Sequence, residues 1–505
     1  PKKALVFSRF QAVPQAIASM MSYRVEASVF ARDGVAYDKV TQQRWFTAGP
    51  KRQATLGLFH PSPFLVEHAN PLAEPIESIG AAKRLIREQL SVALNELGVS
   101  VVKELPASPL WKLLAQLDQA TGDAEWTIRL WWQLHYSISA TDSEDAGMAT
   151  LLKDWEAAGL ETLTEISKSQ FEELADHALC APGVIVGRSL RRHWEDAVTK
   201  DGFKSTLEAS WLGLRNYLDQ RWFYGSLRRK GERYPDAVKR AALEGNLEAV
   251  LDEHLWITSQ LRNIEGSELA VELRDGMTIR SGRFSLHPIE GDQDATFQMR
   301  CHAALPFTQQ RSSSSDETGE KPLRTDDLRR AFNTPFWPFV LTTTSVGQEG
   351  LDFHAWCDRL VHWDLCRTPA DLEQREGRIQ RYGGSAIRRA IVSKLPKASI
   401  MNLGPLESPW ANIAKLANVS TVLCDESGLA PWWVCEGGNI ERFVFEVPTS
   451  EQNHWLHWMK EQRMLYRLAL GQPNQEDLLE VLASKGATDV DDLREAVINL
   501  SPWFG

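Results

Sequence analysis

The run Phe339–Gly384, FVLTTTSVGQEGLDFHAWCDRLVHWDLCRTPADLEQREGRIQRYGG, decides the fold. Val340, Leu341 and Thr342 are strand formers and predict a buried strand. Thr343, Thr344 and Ser345 follow at its C-terminal end, then a Gly-Gln-Glu-Gly turn closing at Gly350. Ligands of open α/β sheets collect at the carboxyl ends of strands. A second short strand is expected over Arg359–His362, with Leu360 and Val361 at its centre. Thr368-Pro369 then opens a helix, with Pro at the first helical position and Asp371 and Glu373 in the first turn. The same helix is read as carrying Gln374, Arg375, Arg378 and Arg381, and a spacing of three puts the last two on one face. Two guanidiniums near the ends of a parallel sheet suit a polyphosphate. Taken alone, an Arg-rich helix is commonly a solvated face, and Gly350 with Asp352 could serve only a tight turn. The order of the whole block favours the sharper reading.

Working back to the start of the chain, Lys3–Phe7 (KALVF) is a lysine-led apolar strand followed by Ser8-Arg9-Phe10. Pro14 starts a short helix, and Arg24–Val29 reads as a second strand. These pieces resemble the second lobe of superfamily II helicases and translocases. Thr343-Thr344-Ser345 with Glu349-Gly350-Leu351-Asp352 matches motif V. Gln374-Arg375-Glu376-Gly377-Arg378-Ile379-Gln380-Arg381 matches motif VI, Q-x-x-G-R-x-x-R. Leu5–Phe10 resembles motif IV. The spacing is nearest the Swi/Snf-like branch, including bacterial RapA-type translocases. That branch usually ends motif VI in Arg-x-Gly-Gln, whereas here Arg381 is followed by Tyr382-Gly383-Gly384.

The resemblance implies an α/β fold. A RecA-like parallel-sheet lobe over 1–30 and 323–395 is interrupted by a large, mainly helical insertion over 31–310. A mixed α+β C-terminal region follows over 396–505. It also implies roles. Arg378 and Arg381 would be catalytic arginine fingers. Gln374, Gly350 and Asp352 would bind ATP. Ser8, Arg9, Thr343 and Thr344 would hold backbone phosphates of a nucleic acid, contacts that read no sequence. For Ser8, a turn- or helix-capping role needs the same residue type.

The interruption is roughly 290 residues, longer than a typical domain. Ala54–Phe59 and Pro61–Leu65 read as short strands at its beginning. Ala81–Leu97 is amphipathic, with Ile86, Leu90, Leu94 and Leu97 at helical spacing and Gly98 as its stop. Helices are expected over Trp126–Tyr136, Phe171–Leu179, Gly183–Val198, Thr206–Asp219 and Asp236–Ile257. Trp126, Trp131, Trp132, Trp155, Trp211 and Trp222 are read chiefly as core, the alternative being a base-stacking platform beside a basic face at Arg188–Arg192. A small β part is expected near 269–307, a flexible linker over Arg311–Pro322, and a helix over Arg324–Phe332. Beyond motif VI, Arg388–Val392 reads as a last strand. Phe443–Val447 reads as a strand and Ser450–Leu470 as a long helix, with helices at Glu476–Leu482 and Asp491–Leu500 after it.

The chain has 505 residues, 43% hydrophobic and 24% charged, an ordinary globular mixture. Its net charge of −11 argues against a generally basic nucleic-acid coat, though not against a local basic groove. No apolar run is long enough to span a bilayer, and no partner membrane is expected. The six cysteines form no C-x-x-C pair, so no metal site is expected, and scattered thiols fit a reducing cytoplasm. His354 and His362, close to Cys357 and Cys366, are read as structural. The chain opens with Pro1 rather than Met, which reads as a piece of a longer polypeptide.

No G-x-x-x-x-G-K-[ST] occurs, so the P-loop that grips the phosphates of ATP and holds most of the Mg²⁺ is expected from upstream sequence or another chain. The resemblance thus implies an ATP-dependent DNA translocase or helicase, with a role in anti-phage defence, restriction or repair. The insertion would dock partner proteins. The alternatives are an RNA helicase of the same superfamily and a catalytically inactive scaffold subunit.

Overall fold

The computed structural model describes residues 2–32, 51–106, 108–139, 146–220, 225–229, 231–278, 282–286, 297–307, 325–344, 351–404, 406–445 and 452–468. Gly350, Trp222, the Arg311–Pro322 linker, Ser450 and the two last expected helices lie outside the described residues. The chain divides into two compact units. The first holds 1–25, 280–394 and 417–505, and the second holds 26–279 and 395–416.

The first unit is built on a five-stranded sheet. Its strands are β1 (Lys3–Ser8), β2 (Ala304–Phe307), β3 (Val340–Thr344), β4 (Cys357–His362) and β5 (Glu441–Val444). The order is β2-β3-β1-β4-β5, and every pairing is parallel. β1 is central, which explains its continuous apolar run: Leu5, Val6 and Phe7 are all buried. Pro306 is tolerated because β2 is an edge strand. At the other edge, Arg359 faces Glu441 in register and pairs with it at 3.0 Å.

Lys3 is fully buried at the start of β1. Its Nζ donates to Ala331 O at 3.3 Å and Phe332 O at 3.0 Å, closing the C-terminus of α2 (Thr325–Phe332). Burial holds this ammonium well below the usual lysine range.

Two strands expected for the sheet are helices. Arg24–Val29 falls inside α1 (Ala12–Arg32), which is also much longer than the short helix expected. Ala18, Ser22, Glu26 and Val29 are buried at helical spacing, and the strand place beside β3 is taken by Ala304–Phe307. Ser22 fixes the helix there, its Oγ donating to Ala304 O and accepting from Ala304 N, both at 3.1 Å. Arg388–Val392 falls inside a helix, Ser385–Lys394, because Ala386, Ile387, Ala390 and Ile391 share one buried face. The fifth strand is Glu441–Val444. The expected β part near 269–307 resolves into three pieces. These are a helix (Ser267–Met277), an antiparallel hairpin (Gly282–Leu286 with Phe297–Cys301), and β2 of the main sheet.

The second unit is chiefly helical, with one parallel two-stranded pair, Ser100–Val102 and Glu165–Ser167. Ala54–Phe59 and Pro61–Leu65 belong to helices Lys51–Phe59 and Pro63–His68 rather than strands. Trp131, Trp155 and Trp211 are core, packed with His60 and Phe59. Trp131 Nε1 donates to His60 Nδ1 at 3.0 Å, and Asp118 takes His60 Nε2 and Ser62 Oγ at 2.7 Å each. The helix Pro182–Arg191 approaches the Lys51–Phe59 helix so closely that a Cβ on Gly183 would lie 2.4 Å from Phe59 C. The basic face expected at Arg188–Arg192 is not exposed. Arg188 and Arg192 are buried on Glu248, and Arg191 pairs with Glu67. A cavity of about 520 Å³ lies beside these arginines, its charges already balanced by those carboxylates. Among the described residues, no helix is long and apolar enough to cross a membrane.

Candidate nucleotide and nucleic-acid site

The carboxyl edge of the sheet gathers Ser8, Thr344 and His362 at the ends of β1, β3 and β4. Ser8 stands opposite Thr344 in register, and Phe7 opposite His362. Asp364, two residues past β4, organises this edge. Its carboxylate accepts from Ser8 Oγ at 2.7 Å, from Arg9 N at 2.8 Å and from Arg9 Nε at 3.0 Å. Ser8 Oγ in turn accepts from Phe10 N at 3.2 Å, the turn-capping role that its residue type allows. Thr343 is fully buried, and its hydroxyl donates inward to Phe307 O at 3.2 Å. Thr344, half-buried, is the threonine nearer to solvent.

The helix α3 (Pro369–Gly377) starts as its sequence predicts. Thr368 Oγ1 accepts from Asp371 N at 3.1 Å, with Pro369 in the first turn. It ends earlier than expected, so Arg378 and Arg381 do not share a helix face. After Gly377 the backbone tightens: Arg378 N reaches Arg375 O at 3.3 Å and Ile379 N reaches Glu376 O at 3.1 Å. Arg378 is the cap residue and Arg381 lies in the turn beyond it, which closes at Gly383 with φ +62°.

The two arginines nonetheless meet one target, the end of motif V. Phe353 N donates to Arg378 O at 2.9 Å, laying residues 351–353 along the motif VI turn. Arg378 Nη1 then lies 3.4 Å from Leu351 O, and Arg381 Nε 3.1 Å from Asp352 Oδ1. Asn333 anchors the segment from the other side, donating to Asp352 O at 2.8 Å. The Arg381 and Asp352 side chains are 42% and 45% exposed, so this ion pair is reachable from solvent. Beside it, burial pushes His354 down to about 4 against the pull of Asp352, with Arg388 and Arg381 adding to the fall. Gln374 is exposed on α3.

Three residues carry parts the sequence reading did not give them. Arg375, almost fully buried, donates from Nη1 to Asp364 O at 2.9 Å, and its guanidinium lies 5.2 Å from the centre of the Phe7 ring. It thereby links α3 to the Ser8–Asp364 edge. Burial, helped by Arg375, pushes the neighbouring His362 down to about 4. Glu376 accepts from Arg442 Nε of β5 at 2.6 Å and from Arg463 Nη1 at 3.0 Å, the latter on α4 (Gln452–Leu468). Burial raises its pKa, but the two arginines prevail and hold it below the usual glutamate range. The available signal for Asp364 was its position, an aspartate just past the carboxyl end of a buried strand. Nothing local marks Glu376, whose partners lie 66 and 87 residues away. His362 and Cys357 serve the packing. His362 Nδ1 faces Arg375, while Cys357 Sγ donates to Lys3 O and its thiol is pushed up to about 12 by burial.

Residues 321–383 match the helicase conserved C-terminal domain. No curated protein and no solved structure matches the chain. The matched segment holds α2, β3, β4, α3 and both arginines. It supports a helicase-superfamily C-terminal lobe and a helicase-type, nucleic-acid-related function, and the parallel sheet is consistent with a RecA-like lobe.

Proposed function

We propose that the chain supplies the arginine-bearing second lobe of an ATP-driven nucleic-acid helicase or translocase, acting on DNA in preference to RNA. The observation that carries this reading is the convergence of Arg378 and Arg381 on Leu351–Asp352, inside the matched segment. The donor set fits a polyphosphate. Two guanidiniums stand together, one of them paired, among the described residues, with a half-exposed carboxylate that it can leave at little cost.

When bound, ATP supplies the phosphoryl group and Mg²⁺ neutralises charge, both held mainly by a P-loop lobe from upstream sequence or another chain. Arg378 and Arg381 then complete the phosphate cage from this side, a contribution worth roughly 10³–10⁵ in rate. Asp352, freed from Arg381, is available at the nucleotide's edge together with Gly350, and Gln374 couples occupancy to lobe closure. Arg9 and Thr344 hold strand phosphates at the carboxyl edge, while Ser8, buried and with its hydroxyl proton given to Asp364, shapes the turn that presents Arg9. Thr343 joins them through its backbone, because its hydroxyl is committed to Phe307. Alternate closing and opening around ATP shifts this grip along the strand. A cytoplasmic role in anti-phage defence, restriction or repair, with partner proteins on the second unit, is the setting we propose by analogy.

The decisive measurement is nucleic-acid-stimulated ATPase of the intact protein carrying Arg378→Ala or Arg381→Ala. Loss of at least a hundredfold with binding retained is expected. Wild-type turnover in both variants would remove the reading, and stimulation by RNA but not DNA would reassign the substrate.

A further inference from the structure

Trp131, Trp155 and Trp211 are core, as expected, while Trp126 and Trp132 are only half-buried; other aromatic side chains stand in solvent at the sheet's carboxyl edge. Trp363 directly follows β4 and is 42% exposed, and Phe445 directly follows β5 and is 49% exposed. Their ring centres lie 4.9 Å apart, edge to face. On α4, Trp455 and Trp458 stack on one another at 4.5 Å and are 39% and 37% exposed. Trp455 Nε1 donates to Cys366 O at 3.2 Å, so this second pair is pinned to the same β4–α3 loop that begins with Trp363. Asp364, which fixes Ser8 and Arg9, is the residue after Trp363.

Four large aromatics left in water around one loop are costly unless something covers them. The charges nearby indicate what. Arg367 in the loop is exposed, and Arg9 is partly exposed beside Asp364. Aromatic faces interleaved with cations suit unpaired bases joined by phosphates, because every base has a π-face and every linkage a negative charge. A duplex, whose bases are already stacked, gains much less there.

On the nucleic-acid reading proposed above, we infer that Trp363–Phe445 and Trp455–Trp458 form a base-stacking ledge for single-stranded nucleic acid, continuous with the phosphate contact at Arg9. The ledge gives this lobe a preference for unpaired strand that its backbone contacts alone cannot give.

The test is fluorescence anisotropy of the full chain with a labelled oligo(dT) and with a labelled duplex, across a salt series. Trp363→Ala and Trp458→Ala should each weaken oligo(dT) binding about tenfold or more, with little change for duplex. The salt slope should stay as in wild type, since stacking releases no counterions. Trp363→Phe should recover most of the affinity, which a merely unfolded variant would not. Arg9→Ala serves as the phosphate arm and should lower the salt slope. If the tryptophan variants bind oligo(dT) as wild type does while Arg9→Ala weakens it, the ledge is wrong and the motor reading stands. If wild type binds neither single strand nor duplex, both fall together. A wild-type dimer on sizing that Trp458→Ala dissociates, with oligo(dT) affinity unchanged, would make the patch a contact between copies and overturn the ledge.

Discussion

The Asp364 carboxylate accepts the Ser8 hydroxyl at 2.7 Å across 356 residues of chain, and the same carboxylate holds the Arg9 backbone and side chain. One buried acid therefore sets the shape of the turn after β1. Its loss leaves buried donors without partners. Asp364→Ala should cost roughly 2–4 kcal/mol by urea titration, and Asp364→Asn somewhat less. On the proposed reading, nucleic-acid affinity should fall in both variants, because the turn that presents Arg9 loses its geometry. An Asp364→Asn protein of wild-type stability and affinity would show that the cluster is ornamental.

Arg381 and Asp352 make the opposite case. Their pair is exposed on both sides, so it contributes about 1 kcal/mol or less to folding. Arg381→Ala should therefore melt within about 2 °C of wild type by calorimetry. An activity defect in this variant would then report lost chemistry rather than lost fold.

Glu376 lies inside motif VI yet bonds Arg442 and Arg463, which belong to β5 and α4. Removing one partner of a buried ionic cluster strands the others. Glu376→Ala should destabilise the protein by roughly 3 kcal/mol and hasten proteolytic release of the segment containing α4. The glutamate's folded pKa is depressed, so this stability is present above the unfolded value near 4.3 and is lost as pH falls through the folded value.

His362 adds a second acid-sensitive element with its own window. Its folded pKa of about 4 lies below the unfolded value near 6.5. Above pH ~6.5 both states are neutral and the residue has no effect; below it, the unfolded chain takes the proton first. Stability should thus decline from about pH 6.5 to about 4, by roughly 3 kcal/mol in all. His354 contributes in the same window. Denaturant midpoints of wild type and His362→Gln at pH 7.5 and 5 check this. The variant should lose less on acidification, and equal losses would contradict it.

The lobe was legible where local chemistry and tertiary context agree. Val340–Thr344, the Thr368 cap and the Lys3–Phe7 strand carry their signals within a few residues. It was illegible where context decided. Arg24–Val29 alternates well enough for a strand, but only the partner of β3, supplied by Ala304–Phe307, settles which segment fills the sheet. The helix was expected to run on to Arg381, because neither Gly377 nor the turn to Gly383 announces that it stops before Arg378. The convergence of Arg378 and Arg381 on Asp352 was readable only as a motif order, since the contacts run through backbone at Leu351 and Phe353. Asp364 and Glu376 depend on partners scores to hundreds of residues distant, and no spacing rule finds them.

The Lys3 side chain closes a helix whose end is made 328 residues later. On the ribosome, at about 5–20 residues per second, the middle strand of the sheet waits of the order of half a minute for its neighbours. Through that interval Leu5-Val6-Phe7 has both edges open, while the helical unit that follows it can already be folding. The central strand of the lobe is thus among the last of its parts to be buried, and a chaperone that shields Lys3–Ser8 early should raise the yield of native protein more than one acting on the finished chain.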